Sequence, residues 1–271
     1  MNKNLLLAFA LASVTLLGVT GCGDDPVTVN PDPKFSFASN QKFTYESTPR
    51  DDAQAPTTAE KRNVVWTVLD TGMTFSGKTS VSKIKEERMA ADGSTVESTD
   101  TLYFTAEADG EFYQYDLIGS IVRRIPAAAL ISADIPKTWT KIGDTKNSTA
   151  LSYDATSEST ILIPVPSIGI SVKVTYSVKG EHKGKTSVTV PLKTEANAFS
   201  TDLIVKLKAT DQSGTVTITN DSLRMNYAMN VTDGILKQSL ESKTVGFLNP
   251  VTFVSEPQFV AGFDLLLKSK Q

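Results

Sequence analysis

The chain has 271 residues, with 27 Lys and Arg, 30 Asp and Glu, one Cys and one His. The formal net charge of −3 provides no broad positive field, so nucleic acid is excluded as an expected partner. A single Cys cannot close an intramolecular disulfide, and a single His cannot supply a multi-histidine site, so we expect no metal and no cofactor. The 40% hydrophobic content suffices for a buried core in one large or two small domains.

The N-terminus carries the pattern of an export signal. Lys3 precedes the uncharged run Leu5–Val19, whose 15 residues are fewer than the ~20 that a helix needs to span a bilayer. A short apolar run after a positive charge is typical of a secretory signal peptide, which we place at residues 1–21.

The segment ends in Val19-Thr20-Gly21-Cys22, which resembles the lipobox of bacterial lipoproteins. The resemblance implies cleavage before Cys22, attachment of lipid to its thiol and acylation of its amine. The membrane would then be a partner through the N-terminal lipid, because two or three acyl chains give durable anchoring where one would be marginal. The alternative is an ordinary signal peptide with an incidental cysteine.

The residues after Cys22 bear on location. Gly23 stands where an Asp would resemble an inner-membrane retention signal, so we expect the outer membrane, with its periplasmic and surface faces both open. Pro26, Pro31 and Pro33 lie among polar residues, and proline favours extended chain. Residues 22–40 are therefore predicted to be a lipidated tether, followed by a folded domain over residues 41–271.

The folded domain shows a hydrophobic period of two. Apolar and polar residues alternate through Ile168–Val178, and shorter alternations occur in Met225–Val231 and Tyr113–Leu117. This pattern is typical of strands buried on one face. Asp-Gly pairs are a strong hairpin signal, and they stand at positions 92–93, 109–110 and 233–234.

These signals predict a mainly β domain built from antiparallel meanders. Helices are expected to be few and short, near Ile125–Ser132 and near Pro136–Lys141. The alternating strands leave one apolar face that another layer or a ligand must cover. The sheet could therefore close as a β-sandwich, or continue as one curved sheet or half-barrel.

A faint internal repeat divides the domain. Trp66-Thr67-Val68 is similar to Val188-Thr189-Val190, and Asp100-Thr101-Leu102 is similar to Asp221-Ser222-Leu223, at offsets between 121 and 124 residues. We interpret this as two copies of one meander, at about 41–120 and 165–245. Chance similarity between β-rich segments is the alternative.

The strand meander after an exported start, with Tyr227-Ala228-Met229 and Asp233–Lys237 late in the chain, resembles the Lol-type half-barrels that carry lipoproteins and related periplasmic β proteins. The resemblance implies a concave apolar surface that could take acyl chains. Core packing is the default role of the apolar stripes, and lining a lipid or another hydrophobic ligand is the sharper hypothesis. The candidate lining residues are Tyr113, Tyr115, Ile170, Val172, Val174, Tyr176, Met225, Tyr227 and Met229.

Three motifs suggest chemistry, and we reject each of them. Gly72–Thr79 fits the letters of a P-loop, but the chain that follows reads as a strand where a P-loop requires a helix. Ser80 and Lys83 have the spacing of a Ser–Lys pair, but on a strand residues three apart point to opposite faces. His182 lies in a polar stretch bounded by Gly180 and Gly184, which predicts an exposed hairpin loop, with Lys179, Lys183 and Lys185 at its tip.

The sequence therefore predicts no catalytic residues. The leading hypothesis is a non-enzymatic, membrane-anchored envelope lipoprotein that binds a lipid or another hydrophobic ligand. The alternative is a scaffold or interaction lipoprotein whose edge strands pair with another envelope protein. A hydrolase with an unrecognised site is a third reading.

Overall fold

A computed structural model of the protein describes residues 35–125, 135–165, 169–249 and 254–271. Pro33–Gln271 forms one compact unit. The predicted signal segment, Cys22 and residues 22–34 of the predicted tether lie outside the described residues, as do the side chains of Val165 and Ile170.

The described chain is built almost entirely of strands. They are β1 (Lys42–Arg50), β2 (Arg62–Phe75), β3 (Lys78–Met89), β4 (Val96–Ala106), β5 (Glu111–Tyr115), β6 (Trp139–Asp144), β7 (Leu151–Val165), β8 (Ile170–Val190), β9 (Lys193–Asp211), β10 (Thr217–Asn230), β11 (Gly234–Leu240), β12 (Lys243–Val245), β13 (Gln258–Val260) and β14 (Gly262–Lys270). One short helix, α1 (Leu117–Val122), and a 3-10 turn at Thr58–Glu60 complete the elements.

Twelve strands form one antiparallel sheet in the order β6-β5-β4-β3-β2-β1-β14-β11-β10-β9-β8-β7. Strands β1 and β14, from the two ends of the domain, pair in its middle. The sheet curls so that its two halves meet across the interior: the Tyr227 hydroxyl on β10 donates to Oε1 of Gln114 on β5 at 2.9 Å. The end strands also touch, through the Thr140 and Thr156 hydroxyls 2.9 Å apart. The mainly β prediction is confirmed, as one nearly closed curved sheet. A separate small sheet contains β12 and β13.

The predicted hairpins are confirmed at all three Asp-Gly positions, which join β3 to β4, β4 to β5 and β10 to β11. Gly72–Thr79, the segment that matches the P-loop sequence pattern, also contains a hairpin turn. Ser76 and Gly77 both have positive φ, 47° and 81°, as the two-residue type I′ turn requires, and β3 begins at Lys78. The rejected Ser80 and Lys83 pair lies on the same strand.

The helix predictions need correction. The segment predicted as a helix near Pro136–Lys141 contains the start of β6 at Trp139. Residues 126–132 of the other predicted helix lie outside the described part. Within the described residues the α-helix is α1, and it begins at Leu117, which the sequence pattern places on a strand. Leu117, Ile118, Ile121 and Val122 are buried at helical spacing, so α1 forms because a single apolar face can pack into the open curl of the sheet.

Inward-pointing residues of the strands supply the core. The fully buried side chains of greatest volume include Trp66, Tyr45, Tyr227, Phe43 and Phe104. No helix in the described residues has both the length and the apolar character needed to cross a bilayer. The proposed duplication of residues 41–120 and 165–245 stays a prediction.

Candidate ligand cavity beside helix α1

The alternating apolar residues of strands β8 and β10 are buried, as the period of two in the sequence predicts. The predicted lining residues on these strands face the interior: Val172, Val174, Tyr176, Met225, Tyr227 and Met229. The space between α1 and the neighbouring wall of Val205, Leu207 and Leu223 amounts to about 10 Å³, the lower limit for one water molecule. The interior between α1 and these three residues therefore has no room for an acyl chain.

The structure corrects the placement of two candidates on β5. Tyr113 and Tyr115 are half-buried on the outer face of the sheet, while Phe112 and Gln114 point inward. Tyr115 packs edge-on against Phe75 at 5.0 Å between ring centroids. Alternation along a strand shows which residues share a face, but the partner layer decides which face is inside. The side chain of Ile170 lies outside the described residues.

His182 is also placed differently from its prediction. It is 0% exposed, in the middle of β8, with Nδ1 3.3 Å from the Thr201 hydroxyl and Nε2 bonded to the Asn147 carbonyl oxygen. Its glycine neighbours are not turn residues. The Tyr153 ring lies where a side chain at Gly180 would stand, so glycine here admits a neighbouring strand's aromatic ring. Lys179, Lys183 and Lys185 accordingly lie along this strand, not at a hairpin tip.

A larger cavity of about 290 Å³ lies between α1 and the ends of the neighbouring strands. Its apolar wall includes Ile121 of α1, Met225 of β10, Leu240 of β11, and Phe263 and Leu265 of β14. Its polar wall carries Ser47, Glu86, Arg88, Asp100, Gln114, Ser120, Arg123, Arg124 and Gln238. The cavity therefore offers both apolar surface and charge, and Met225 is a member of the sequence-predicted set.

Glu86 is the acidic centre of the cavity wall. It is buried on β3, where its carboxylate accepts a hydrogen bond from Nε1 of Trp66 at 2.8 Å and pairs with Arg88 at 3.0 Å. Both partners compensate the cost of burying this carboxylate.

The two arginines after α1 differ in their partners. Arg123 binds the Asp116 carboxylate through both terminal nitrogens at 3.1 Å. The Arg124 guanidinium instead lies 4.5 Å from the ring centroid of Phe263. Within the described residues, no carboxylate forms an ion pair with Arg124. Burial, reinforced by the nearby charge of Arg88 and opposed by Glu86, lowers the pKa of Arg124 to about 10, which leaves it charged at neutral pH.

The floor of the cavity is held by a buried hydrogen-bond network. Gln238 Nε2 donates to the Tyr227 hydroxyl at 3.1 Å, and that hydroxyl donates to Gln114. Burial, with a smaller contribution from Tyr153, raises the pKa of Tyr227, so its hydroxyl stays protonated and able to donate. The network therefore ties β5, β10 and β11 together below the cavity.

A second groove of about 420 Å³ adjoins the cavity, and Asp100, Leu102, Gln114, Ser120 and Arg123 line both. Its outer wall is aromatic. Phe75 stacks on Tyr103 at 4.1 Å between centroids, and Tyr115 stands edge-on to both rings. Tyr115, which the sequence predicts to line an apolar site, therefore lies on this outer surface and not in the interior.

The sequence interpretation did not single out the charged residues of the cavity. One available signal was Glu86, which stands two positions after the buried Ile84 and so falls on the inward face of β3. A charged residue on an apolar face indicates either a partner or a function. Among the described residues, no group of three His, Cys, Asp or Glu side chains is placed to hold a metal ion.

The chain has few similarities to known proteins. No family model matches it, and no curated protein matches it significantly. A crystal structure of a candidate lipoprotein from Parabacteroides distasonis aligns with 88% of this chain and 97% of that one, at 11% identity and a TM-score of 0.44. Similarity at this level transfers no property from that protein to this chain.

Proposed function

We propose that the protein is exported and anchored to the outer membrane through lipid on Cys22. The observation that supports anchoring is the sequence Val19-Thr20-Gly21-Cys22 after a charged and then apolar start, with the single cysteine of the chain at the lipidated position. Gly23 supports the outer membrane over the inner one. The remaining tether would hold the sheet domain away from the bilayer.

Lipidation can be tested with Cys22→Ser in the full-length chain expressed in a bacterium. Wild type should incorporate an alkyne-labelled fatty acid and enter the detergent phase on Triton X-114 partition. The serine variant should incorporate no label and remain in the aqueous phase. A serine variant that stays membrane-bound would contradict the anchor, and density-gradient separation of the two membranes tests the location.

We further propose that the anchored domain is a non-enzymatic binding protein whose cavity beside α1 takes a hydrophobic ligand. The supporting observation is the cavity of about 290 Å³ with apolar residues from α1, β10, β11 and β14 on its wall. Of the lining residues predicted from sequence, Met225 lies on the wall of this cavity, so the proposed ligand site is at the α1 end of the interior.

Native mass spectrometry of the unlipidated fragment 23–271 tests binding, because the fragment contains the whole compact unit. Wild type should carry a co-purified ligand or take up an added alkyl compound. Met225→Trp should block both by filling the cavity. Leu69→Trp, at an exposed position on β2 away from the cavity, is the matched control and should bind normally. A wild-type protein that takes up no alkyl compound would exclude this function.

The alternative, an interaction lipoprotein, is favoured by the edge of β7. In the described sheet β7 is an end strand hydrogen-bonded to β8, and side-chain hydrogen bonds join it to β6 at Tyr153 and Thr156. Residues 158–165 continue beyond that contact, and Leu162 is 52% exposed. An uncovered strand edge is a template for pairing with a partner strand.

A pull-down from envelope extract separates this alternative from ligand binding. A stoichiometric partner should be retained by wild type and by Leu151→Lys, and lost on Leu162→Lys, because charge on the free edge opposes strand addition. Recovery of the same protein by both variants would show that the β7 edge is not the contact.

A further inference from the structure

Within the described residues, the ion pairs around the cavity beside α1 leave one cation without a carboxylate partner. Arg88 and Glu86 pair with each other, and Arg123 pairs with Asp116. Asp100 is exposed and accepts a hydrogen bond from the Thr101 amide at 2.7 Å. Arg124 is the remaining charged group of the wall, and its contact is the Phe263 ring.

Arg124 is in an environment that favours an anion. A guanidinium has five N–H donors in a planar fork that matches a carboxylate or a phosphate in two-point contact. Partial removal from water makes an unpaired cation costly, and it strengthens the attraction of an incoming anion. The stacking of Arg124 on Phe263 restricts the guanidinium without using its in-plane donors.

The cavity wall next to the Arg124 guanidinium is apolar. Phe263 and Leu265 continue the wall along β14, and Ile121, Met225 and Leu240 close the other sides. A volume of about 290 Å³ corresponds to roughly ten groups of the size of a water molecule at ~30 Å³ each. An eight-carbon chain with a small head group has this size.

We propose that the cavity binds an amphiphile with one anionic head group and a short apolar chain, with Arg124 holding the head group and β14 and α1 enclosing the chain. This inference rests on the proposed binding function and deepens it by naming the ligand class. Carboxylate and phosphate heads share the recognition chemistry, and the experiment distinguishes them.

Titration calorimetry of the unlipidated fragment 23–271 with four octyl probes tests the head group. Octanoate and octyl phosphate should each bind at least tenfold more tightly than octanol, and octylammonium should not bind. The tighter of the two anions identifies the head group. Acetate alone should bind far more weakly than octanoate, because it has no chain for the apolar wall.

Substitutions of Arg124 then test whether this residue binds the head group. Arg124→Gln should lower octanoate affinity at least tenfold and leave octanol affinity unchanged, whereas Arg224→Gln, an exposed position on β10, should change neither. Arg124→Lys keeps the charge but loses the fork, so octanoate affinity should fall by less. The lysine variant and the wild-type probe series keep the test decisive if the glutamine variant does not fold.

The outcomes separate the two proposals. If octanol binds as tightly as octanoate, or if Arg124→Gln folds and binds octanoate as wild type does, the anionic head group is wrong while hydrophobic binding stands. If none of the octyl probes binds, the proposed function itself is wrong.

Discussion

The interior of the curled sheet has two ends that differ in packing. At the first, which we call the Phe35 end, Phe35, Phe104 and Phe112 pack together, with Phe104 and Phe112 stacked at 5.8 Å between centroids. Glycine is required there at position 234, which has a φ of +78° and faces the Phe35 ring. At the other, the α1 end, the cavity with its arginines remains between strands of the same sheet.

The same strands run through both ends, so secondary structure does not explain the difference. On β2, Val68 lies towards the Phe35 end and Val64 lines the cavity. On β3, Ile84 is followed at the next inward position by Glu86, whose carboxylate needs polar partners. The comparison shows that a period-two pattern encloses an interior, while the identity of each inward residue decides whether that interior is filled core or a site.

The largest expected contrast comes from removing a leucine side chain at two successive inward positions of β14. Leu267 is fully buried and does not line the cavity, whereas Leu265 lines it. Leu267→Ala should lower the free energy of unfolding by about 3–5 kcal/mol, because a new void forms in filled core. Leu265→Ala should cost about 2 kcal/mol, since it enlarges an existing cavity. Urea denaturation measures both, and equal costs would remove the distinction between the ends.

The Tyr227 hydroxyl lies between the two ends and joins the halves of the sheet. Tyr227→Phe should lower the free energy of unfolding by about 2–3 kcal/mol, because it leaves the buried Gln114 and Gln238 amides without this partner. Tyr176→Phe on β8 is the control, and a smaller loss is expected there. Similar losses for the two variants would show that the Tyr227 network does not link the halves.

Adding a methylene group should again be tolerated better at the α1 end than at the Phe35 end. Val68→Leu should destabilise the protein by about 1–2 kcal/mol through overpacking, whereas Val64→Leu should change stability by less than about 0.5 kcal/mol because the cavity accepts the extra group. Thermal unfolding compares the two. Should Val64→Leu be the more damaging variant, the space beside α1 would not be available to a ligand group.

The smallest expected effect is a pH dependence at the Phe35 end. Burial raises the pKa of Asp233, but hydrogen bonds from Lys193 and Asn230 and the charge of Lys270 outweigh it, so the pKa is lowered in the folded protein. The resulting stabilisation is present above the unfolded pKa of about 3.9 and is lost as pH falls through the lower folded pKa.

Urea denaturation across this acidic range tests the contribution of Asp233. Asp233→Asn should flatten the acid loss of stability, and the exposed Asp52→Asn should leave it as in wild type. An unchanged slope in Asp233→Asn would assign the acid sensitivity to other carboxyl groups.

The sequence by itself determined the strand-rich class and the three Asp-Gly hairpins. It also determined which alternating residues are buried on β8 and β10: Val172, Val174, Tyr176, Met225, Tyr227 and Met229. These features are local, because period and turn chemistry act over a few residues. The N-terminal export signal is likewise a local pattern that ends at Cys22. It stays a prediction, which the Cys22→Ser experiment tests.

Tertiary structure decided what local patterns leave open. The face of β5 was settled by Phe104 and Tyr227, which contact Phe112 and Gln114 and leave Tyr113 and Tyr115 outside. His182 became buried because β8 continues through Gly180 and Gly184 instead of turning there. Arg124 and β14 line the same cavity although they are more than a hundred residues apart in the chain. Only the curl of the sheet brings β14 beside α1.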